Sequence, residues 1–284
     1  MQKNPKLKIF LSDLTRAGLA AVGAVVFAAT CASADTVGYW RLEDGRSGND
    51  ISSTADSSGN GLSAVQWSGN EVSAKFSDNV GGAYIYDPVS ETMVANKLSM
   101  HAPASATTDE SQILAAGAGS AISSGSFTFE MFIQILDNGN AAALNSGNPS
   151  RIVNIDGAGS PATLEIKSNF LEARVRGSGK LDVRNKDFTK DGFYAQDGDW
   201  HHVAYTVSYD ARTDQTTVEL FYDYESRGSA TSVGATAGFI PEKDIRFGPS
   251  STEDGDYDWY MDEARLSSGV LTSDQFLQYS SANP

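Results

Sequence analysis

Residues 126–133 read Ser-Phe-Thr-Phe-Glu-Met-Phe-Ile, where apolar and polar side chains alternate before the apolar residues become continuous. Side chains of a strand point alternately to its two faces, so this pattern predicts a strand buried first on one face and then on both. Similar segments recur along the chain between turn signals such as Asp156-Gly157. The expected strands are 84–86, 151–155, 163–166, 171–176, 200–209, 216–224, 245–247 and 260–266. Their number and spacing predict an all-β sandwich or barrel.

Helical patterns are scarce. Residues 273–280 form the best candidate, a short C-terminal helix with Thr272 as its N-cap and Gln275 completing a capping box. A weaker helical pattern covers residues 111–116. The polar, Ala/Ser/Thr-rich segment 89–110 is interpreted mainly as a long surface loop.

Composition excludes several classes of partner. The chain has 284 residues, with 21 Lys and Arg against 36 Asp and Glu, and its net charge is −15. A protein this acidic is unsuited to the phosphates of nucleic acid or to an anionic membrane surface. Hydrophobic residues make up 40% of the chain, a proportion typical of a globular protein.

The first 34 residues have the pattern of a secretory signal peptide. Lys3, Lys6, Lys8 and Arg16 precede the uncharged apolar run 17–30, and Ala32-Ser33-Ala34 supplies small residues at a cleavage site. A membrane span would need roughly 20 apolar residues, more than this run contains. We therefore expect a secreted, periplasmic or cell-surface protein whose mature part has no transmembrane segment.

Residues 35–284 are expected to form one domain. Cys31 is the only cysteine and lies in the predicted leader, so the mature part cannot form disulfides. A segment of this length can bury a core large enough to be stable without them.

Six segments resemble, in order, the LamG-like family of laminin G, pentraxin and concanavalin A-like lectin/glucanase jelly rolls. The closing segments are similar to the family's "I-D-E-V-R-I … L-T-x-x-E/Q-F" pattern. The segments are Val-Gly-Tyr-Trp-Arg-Leu-Glu-Asp-Gly at 37–45, Asp-Ser-Ser-Gly-Asn-Gly at 56–61, Ser-Phe-Thr-Phe-Glu-Met-Phe-Ile at 126–133, Asp-Trp-His-His-Val-Ala at 199–204, Tyr-Met-Asp-Glu-Ala-Arg-Leu at 260–266, and Leu-Thr-Ser-Asp-Gln-Phe at 271–276. The resemblance implies a concanavalin A-like jelly-roll sandwich of two antiparallel sheets.

The resemblance also implies one structural calcium ion that joins the start and the end of the domain. On this sequence the implied ligands are Asp44, Asp56 and Asp262, with Glu43 and Asn60 as less certain additions. Calcium takes about six to eight oxygen ligands, which carboxylates and carbonyls supply. The alternative is that Asp56 belongs to a solvated turn and Asp262 caps a strand end through hydrogen bonds.

One segment departs from the family pattern. The family often reads "L-Y-V-D-G" where this chain has Leu-Phe-Tyr-Asp-Tyr-Glu at 220–225, without glycine. A loop is expected at 226–233, and its conformation and any ligand contact there are expected to differ from the family's.

The acidic residues do not form the patterns of jelly-roll enzymes. Laminarinase-type hydrolases carry E-x-D-x-x-E on one strand, which places the catalytic acids on one face. Glu130 stands alone on its strand, and Asp223 and Glu225 have no third partner. Asp262 and Glu263 are adjacent, so they are expected on opposite faces. We therefore expect no catalytic residues.

The adjacent histidines give no metal site either. His201 and His202 are expected on opposite faces of one strand, so they are poorly placed to bind one ion. With His101 as the only other histidine, a zinc site lacks ligands. His201 is best interpreted as a packed, hydrogen-bonded residue.

Six aromatic residues lie beside turns or in loops: Trp67, Tyr84, Tyr86, Tyr194, Tyr257 and Trp259. Four of them are the candidate ligand contacts: Trp67, Tyr194, Tyr257 and Trp259. Such side chains stack on sugar rings, although most aromatics serve packing. The sequence thus favours a secreted, non-catalytic module that binds an extracellular glycan or glycoprotein. The alternatives are an adhesion or structural module with a protein partner, and a polysaccharide hydrolase or lyase of unrecognised type.

Overall fold

Alternating apolar segments form extended strands along the chain. The computed structural model describes residues 34–70, 72–103, 111–122, 125–137, 150–157, 162–167, 170–176, 180–184, 197–233, 241–250 and 257–280. Within these ranges the strands are β1 Asp35–Trp40, β2 Ser53–Thr54, β3 Ala64–Gln66, β4 Lys75–Ser77, β5 Tyr84–Asp87, β6 Thr92–Ala95, β7 Ser99–Ala102, β8 Ile113–Ala115, β9 Phe127–Asp137, β10 Ser150–Gly157, β11 Ala162–Lys167, β12 Phe170–Arg176, β13 Lys180–Arg184, β14 Trp200–Asp210, β15 Gln215–Tyr222, β16 Glu225–Val233, β17 Pro241–Ser250, β18 Tyr257–Ser268 and β19 Tyr279–Ser280.

Two large antiparallel sheets contain most of these strands. Sheet A has the order β16-β15-β14-β9-β18-β7-β4, with β1 also paired to β18. Sheet B has the order β13-β12-β11-β10-β17-β8-β3-β2. Strands distant in sequence are neighbours in both sheets, and this confirms the predicted concanavalin A-like jelly-roll sandwich.

The core consists of the facing side chains of the two sheets. A single cluster of buried apolar residues takes members from both, as their period-two spacing predicts. Phe129 of sheet A and Phe247 of sheet B lie 6.2 Å apart between ring centroids, and Trp40 lies 5.1 Å from Phe247. Trp40 is fully buried.

The outer face of sheet A carries a further layer. Strands β19, β5 and β6 form a small sheet C, in the order β19-β5-β6. Ile85 of sheet C and Phe132 of sheet A belong to one buried cluster, and Phe132 stacks on Tyr279 at 3.8 Å. Residues 271–278, which we name the C-terminal strap, pack Leu271 and Phe276 against the same face of sheet A.

The predicted C-terminal helix is wrong. Residues Ser273–Gln275 form one 3-10 turn, and the chain then becomes extended and ends in β19. The predicted capping box is present, since the Thr272 N–H donates to the Gln275 Oε1 at 3.0 Å. Phe276 and Leu277 are buried against sheet A, and this packing requires extended backbone.

Other segments expected to be loop or helix are strands. The segment 89–110 contains β6 and β7, although residues 104–110 lie outside the described ranges. Strand β8 replaces the weak helical pattern at 111–116. The expected loop at 226–233 lies in β16, because Asp223 and Tyr224 adopt φ of 47° and 68° and close a tight two-residue turn without glycine.

The predicted leader lies outside the described residues except for Ala34. None of the helical segments that the structure describes has the length and apolarity to cross a bilayer.

Candidate functional site

An irregularity in the closing strand positions two buried acids. The register between β18 and β9 shifts between Asp262 and Arg265, and Glu263 adopts a φ of 52°. Such a bulge breaks the alternation of a strand. The prediction that Asp262 and Glu263 lie on opposite faces is therefore wrong, because it assumed regular alternation. Both side chains are 0% exposed, and both acids raise the pKa of Tyr279 on the outer side of sheet A.

Hydrogen bonds satisfy only part of this acid pair. The Asp262 Oδ2 accepts from the Asn96 Nδ2 at 2.8 Å and from the Tyr279 hydroxyl at 2.7 Å. Among the described atoms, the Asp262 Oδ1 and the Asn96 Oδ1 are buried without a hydrogen-bond partner, whereas the buried Tyr39 hydroxyl lies beside Glu263 as a donor. Buried acceptors without partners are costly, and two in one neighbourhood indicate a missing donor or cation.

Burial also shifts the titration of these acids. It raises the pKa of Asp262 well above the ordinary range, and the neighbouring Glu263 adds to the shift. Burial raises the pKa of Glu263 to about 7, even though Arg41, whose Nε lies 3.3 Å from the Glu263 Oε1, lowers it. One guanidinium is too little to compensate two buried carboxylates.

The predicted ligand Asp56 serves the backbone instead. Its Oδ1 accepts from the Tyr39 N–H at 3.0 Å, and its Oδ2 accepts from the Leu62 N–H at 2.9 Å. Burial would raise the pKa of Asp56, but these and other hydrogen bonds lower it. Asn60 donates its amide to the Val37 carbonyl at 2.9 Å. Both residues thus fix the turn onto β1.

Asp44 and Glu43 also accept backbone donors. The Asp44 Oδ2 accepts from the Ala55 N–H at 2.7 Å, and its Oδ1 accepts from the Thr54 hydroxyl at 2.9 Å. The Glu43 Oε1 accepts from the Leu98 N–H at 3.1 Å. Across the described ranges, no three His, Cys, Asp or Glu side chains converge on one position. The structure therefore does not assemble Asp44, Asp56 and Asp262 as one ligand set.

The four aromatic candidates have different positions. Trp67 is half-buried, and the Arg246 guanidinium lies 5.0 Å from its ring centroid. Trp259 is 1% exposed and belongs to the core, which makes it unavailable to a ligand. Tyr257 is the first residue of β18, but its side chain lies outside the described part of the molecule, as does all of Tyr194.

Glu130 is at the centre of a buried polar network. Its Oε1 accepts two hydrogen bonds from Arg265, and its Oε2 accepts from the His202 Nε2 at 2.8 Å and from the Leu277 N–H at 2.8 Å. Burial would raise the pKa of Glu130, but Arg265 and His202 hold it low. Arg265 also donates to the Gln275 carbonyl at 2.7 Å, so the network fixes the C-terminal strap.

A second pair of carboxylates is buried on sheet B. Glu165 and Glu172 are opposite each other in β11 and β12, and the Arg174 guanidinium contacts both, at 3.0 Å and 2.8 Å. Sequence analysis missed this pair because it tested acids along one strand only. The two alternating segments 163–166 and 171–176, which are close in sequence, were the signal that could have revealed it.

Two surface cavities are lined by residues of the described ranges. One, of about 140 Å³, lies between sheet C and the C-terminal strap and is lined by Tyr86, Pro88, Arg265, Asp274, Gln275, Phe276, Leu277 and Gln278. The other, of about 150 Å³, is lined by Arg41, Leu42, Glu43, Asp44, Thr54, Ala55 and Ser57.

Residues 107–276 match the sequence model of the family described as the concanavalin A-like lectin/glucanases superfamily. No curated protein sequence matches the chain.

Solved structures with a similar fold include toxin binding domains. The binding domain of Paraclostridial Mosquitocidal Protein 1 matches with a TM-score of 0.62 and 15% identity, over 85% of this chain and 50% of that one. The receptor binding domain of botulinum neurotoxin D matches at 0.56 and 14%, over 84% and 50%. The receptor binding domain of botulinum neurotoxin type G matches at 0.52 and 15%, over 85% and 49%. The chain therefore spans about half the length of these structures.

Proposed function

The chain belongs to the concanavalin A-like lectin/glucanases superfamily, and on that premise we propose that it is a non-catalytic module that binds an extracellular glycan or glycoprotein. The superfamily's description includes both lectins and glucanases, so the choice between binding and cleavage depends on the carboxylates of this chain. A shared fold alone does not decide it.

The main support for the proposal is that the paired acids are buried in ion pairs with arginine. A glycosidase needs two carboxyl groups that flank the substrate, one of them free to give up a proton. Glu165 and Glu172 have side chains that are 1% and 0% exposed, and Arg174 bridges them. Glu130 is held by Arg265 and His202 beneath the C-terminal strap. Acids enclosed in ion pairs are suited to stabilising sheets and unsuited to general acid catalysis. Asp262 and Glu263 have raised pKa values, but both are 0% exposed and therefore out of reach of a polymer substrate.

The names of the structural neighbours agree with this proposal. They are described as a binding domain and as receptor binding domains. At such low sequence identity, the similarity supports only a shared fold. These neighbours are nevertheless examples of this sandwich serving in recognition. The pattern of residues 1–34 supports the further proposal that the protein is exported, which would place it where glycans and glycoproteins are accessible.

We also propose a structural calcium ion, with a ligand set different from the one implied by sequence. Asp44 and Asp56 do not fit, because backbone donors occupy their carboxylates. Asp262 and Asn96 fit, since each has a buried oxygen without a partner. A bound calcium ion would supply the positive charge that the buried acids Asp262 and Glu263 lack, and carbonyls or water would complete its coordination.

Affinity electrophoresis through gels containing laminarin, xylan, dextran, galactomannan or alginate tests the proposed function, with mucin glycoprotein in a parallel gel. We expect retardation by at least one of these polymers and no release of reducing ends from it. Retardation by none of them would contradict the proposal, and so would release of reducing ends.

A further inference from the structure

The cavity between sheet C and the C-terminal strap has walls held in place on both sides. β5 pairs with β19, and the Tyr86 N–H donates to the Gln278 carbonyl at 3.2 Å. On the other side Arg265 donates to the Gln275 carbonyl and to Glu130. A site whose walls are fixed before binding loses little entropy when a ligand enters.

The turn beside the cavity is fixed as well. The Asp87 Oδ1 accepts from the Val89 N–H at 2.8 Å, and its Oδ2 accepts from the Ser90 hydroxyl at 2.9 Å. This turn follows Tyr86, which lines the cavity and is 44% exposed. A tyrosine left half-exposed on a rigid hairpin offers an apolar ring face and a polar tip at little conformational cost.

Besides the apolar Pro88, Phe276 and Leu277, the cavity has polar lining residues of mixed charge. Asp274 and Gln278 are exposed at the strap, and Arg265 contributes a guanidinium whose charge Glu130 compensates. Such groups can donate to and accept from hydroxyls. Because the cation is compensated, an exposed acid lines the cavity and the chain has a net charge of −15, the surroundings disfavour an anionic ligand.

We propose that this cavity binds one neutral pyranose unit of a glycan, with its apolar face against Tyr86 and its hydroxyls toward Asp274, Gln278 and Arg265. Its volume of about 140 Å³ is about ten times the space that one water molecule requires. Concave sites with an aromatic wall and a few convergent polar groups are typical of small-ligand sites. The proposal rests on the proposed function, because it assigns that function's glycan to one place.

The dissociation constants of laminarin, xylan, dextran and galactomannan, with alginate as the acidic polymer, test the assignment. They are measured for the wild-type protein and for Tyr86→Ala, Gln278→Ala and Tyr84→Ala. Tyr84 is the matched control, because it is on the same strand and does not line the cavity. We expect Tyr86→Ala to weaken binding of a neutral polymer about tenfold, Gln278→Ala to weaken it several-fold, and Tyr84→Ala to leave it unchanged.

Three results would overturn the assignment. If a neutral polymer binds and both cavity variants keep the wild-type constant, the site is elsewhere, while the proposed function stands. If alginate is the polymer that binds, the neutral class is wrong. If no polymer and no mucin binds, the cavity assignment and the proposed function both fail.

Discussion

The Arg265 Nε lies 2.7 Å from the Glu130 Oε1, so two residues separated by 135 positions form a buried ion pair between neighbouring strands β18 and β9. Each residue belongs to one of the segments on which the family resemblance rests. The physical role of these segments is therefore to join the middle and the end of the chain. Through the Leu277 N–H and the Gln275 carbonyl, the same pair holds the strap that forms one wall of the proposed glycan site.

Loss of the Glu130 charge should destabilise the protein strongly. Glu130→Gln would leave Arg265 buried without a carboxylate, a change that costs about 3–5 kcal/mol. Lys75→Ala removes a surface ion pair between Lys75 and Asp50, whose side chains are 41% and 58% exposed respectively. This variant should lose less than about 1 kcal/mol of stability. Urea unfolding measures both. Similar losses for the two variants would contradict this role of the network.

A second prediction concerns pH. Burial would lower the pKa of His201, but Asp223 and Asp197, at 2.9 Å and 3.0 Å from its two ring nitrogens, raise it above 6.5. The folded state then holds the proton more tightly than the unfolded chain. The resulting stabilisation is complete below pH 6.5 and is lost as the pH rises through the raised pKa.

The unfolding free energy of the wild-type protein should therefore decline from pH 6.5 upward more steeply than that of His201→Gln. Asp197→Asn, which removes one of the two carboxylates, should have an intermediate slope. If the unfolding free energies of the wild-type protein and His201→Gln changed with pH in parallel, the Asp197 and Asp223 carboxylates would not favour the protonated histidine.

If calcium binds at Asp262, chelator and calcium should have different effects on the stability of Asp262→Asn relative to the wild-type protein. With chelator, Asp262→Asn should unfold at the same temperature as the wild-type protein or higher, because it removes a buried charge without compensation. Added calcium should raise the thermal midpoint of the wild-type protein and should not raise that of Asp262→Asn. At a calcium concentration 100 times the dissociation constant, the wild-type protein should gain about 2.7 kcal/mol of stability.

Asp56→Asn is the matched control, since its carboxylate is occupied by backbone donors, and it should retain the calcium response. A wild-type midpoint that is the same in calcium and in chelator would refute the site. If Asp56→Asn lost the response and Asp262→Asn kept it, the ligand set implied by sequence would be the better one.

Sequence patterns predicted the sandwich because its core follows a local rule. In β9, Phe127, Phe129 and Met131 alternate with Thr128 and Glu130, and the structure buries the apolar series between the sheets. Strands without such alternation were missed. β7 reads Ser-Met-His-Ala, and it is extended because it pairs with β18 and β4, which are distant in sequence.

The candidate sites were less predictable for the same reason. The side chain of Asp262 depends on a bulge that its flanking residues do not signal, and its partners Asn96 and Tyr279 come from other sheets or connections. Trp259, beside an acidic segment, resembled a surface aromatic, yet it is in the core. Tyr86 was one of six aromatics beside turns or in loops, and the sequence did not single it out, since its cavity exists only when the C-terminal strap folds over sheet A.

The central claim is that the protein binds a glycan without cleaving it. The most direct test follows the anomeric proton signals of a laminarin, xylan, dextran or galactomannan oligosaccharide by NMR while the protein is titrated into the sample. We predict saturable broadening or shifting of these signals, with no new reducing-end signal over extended incubation. Growth of reducing-end signals would contradict the claim, and so would spectra that the protein leaves unchanged for all four oligosaccharides and for an alginate oligosaccharide measured beside them.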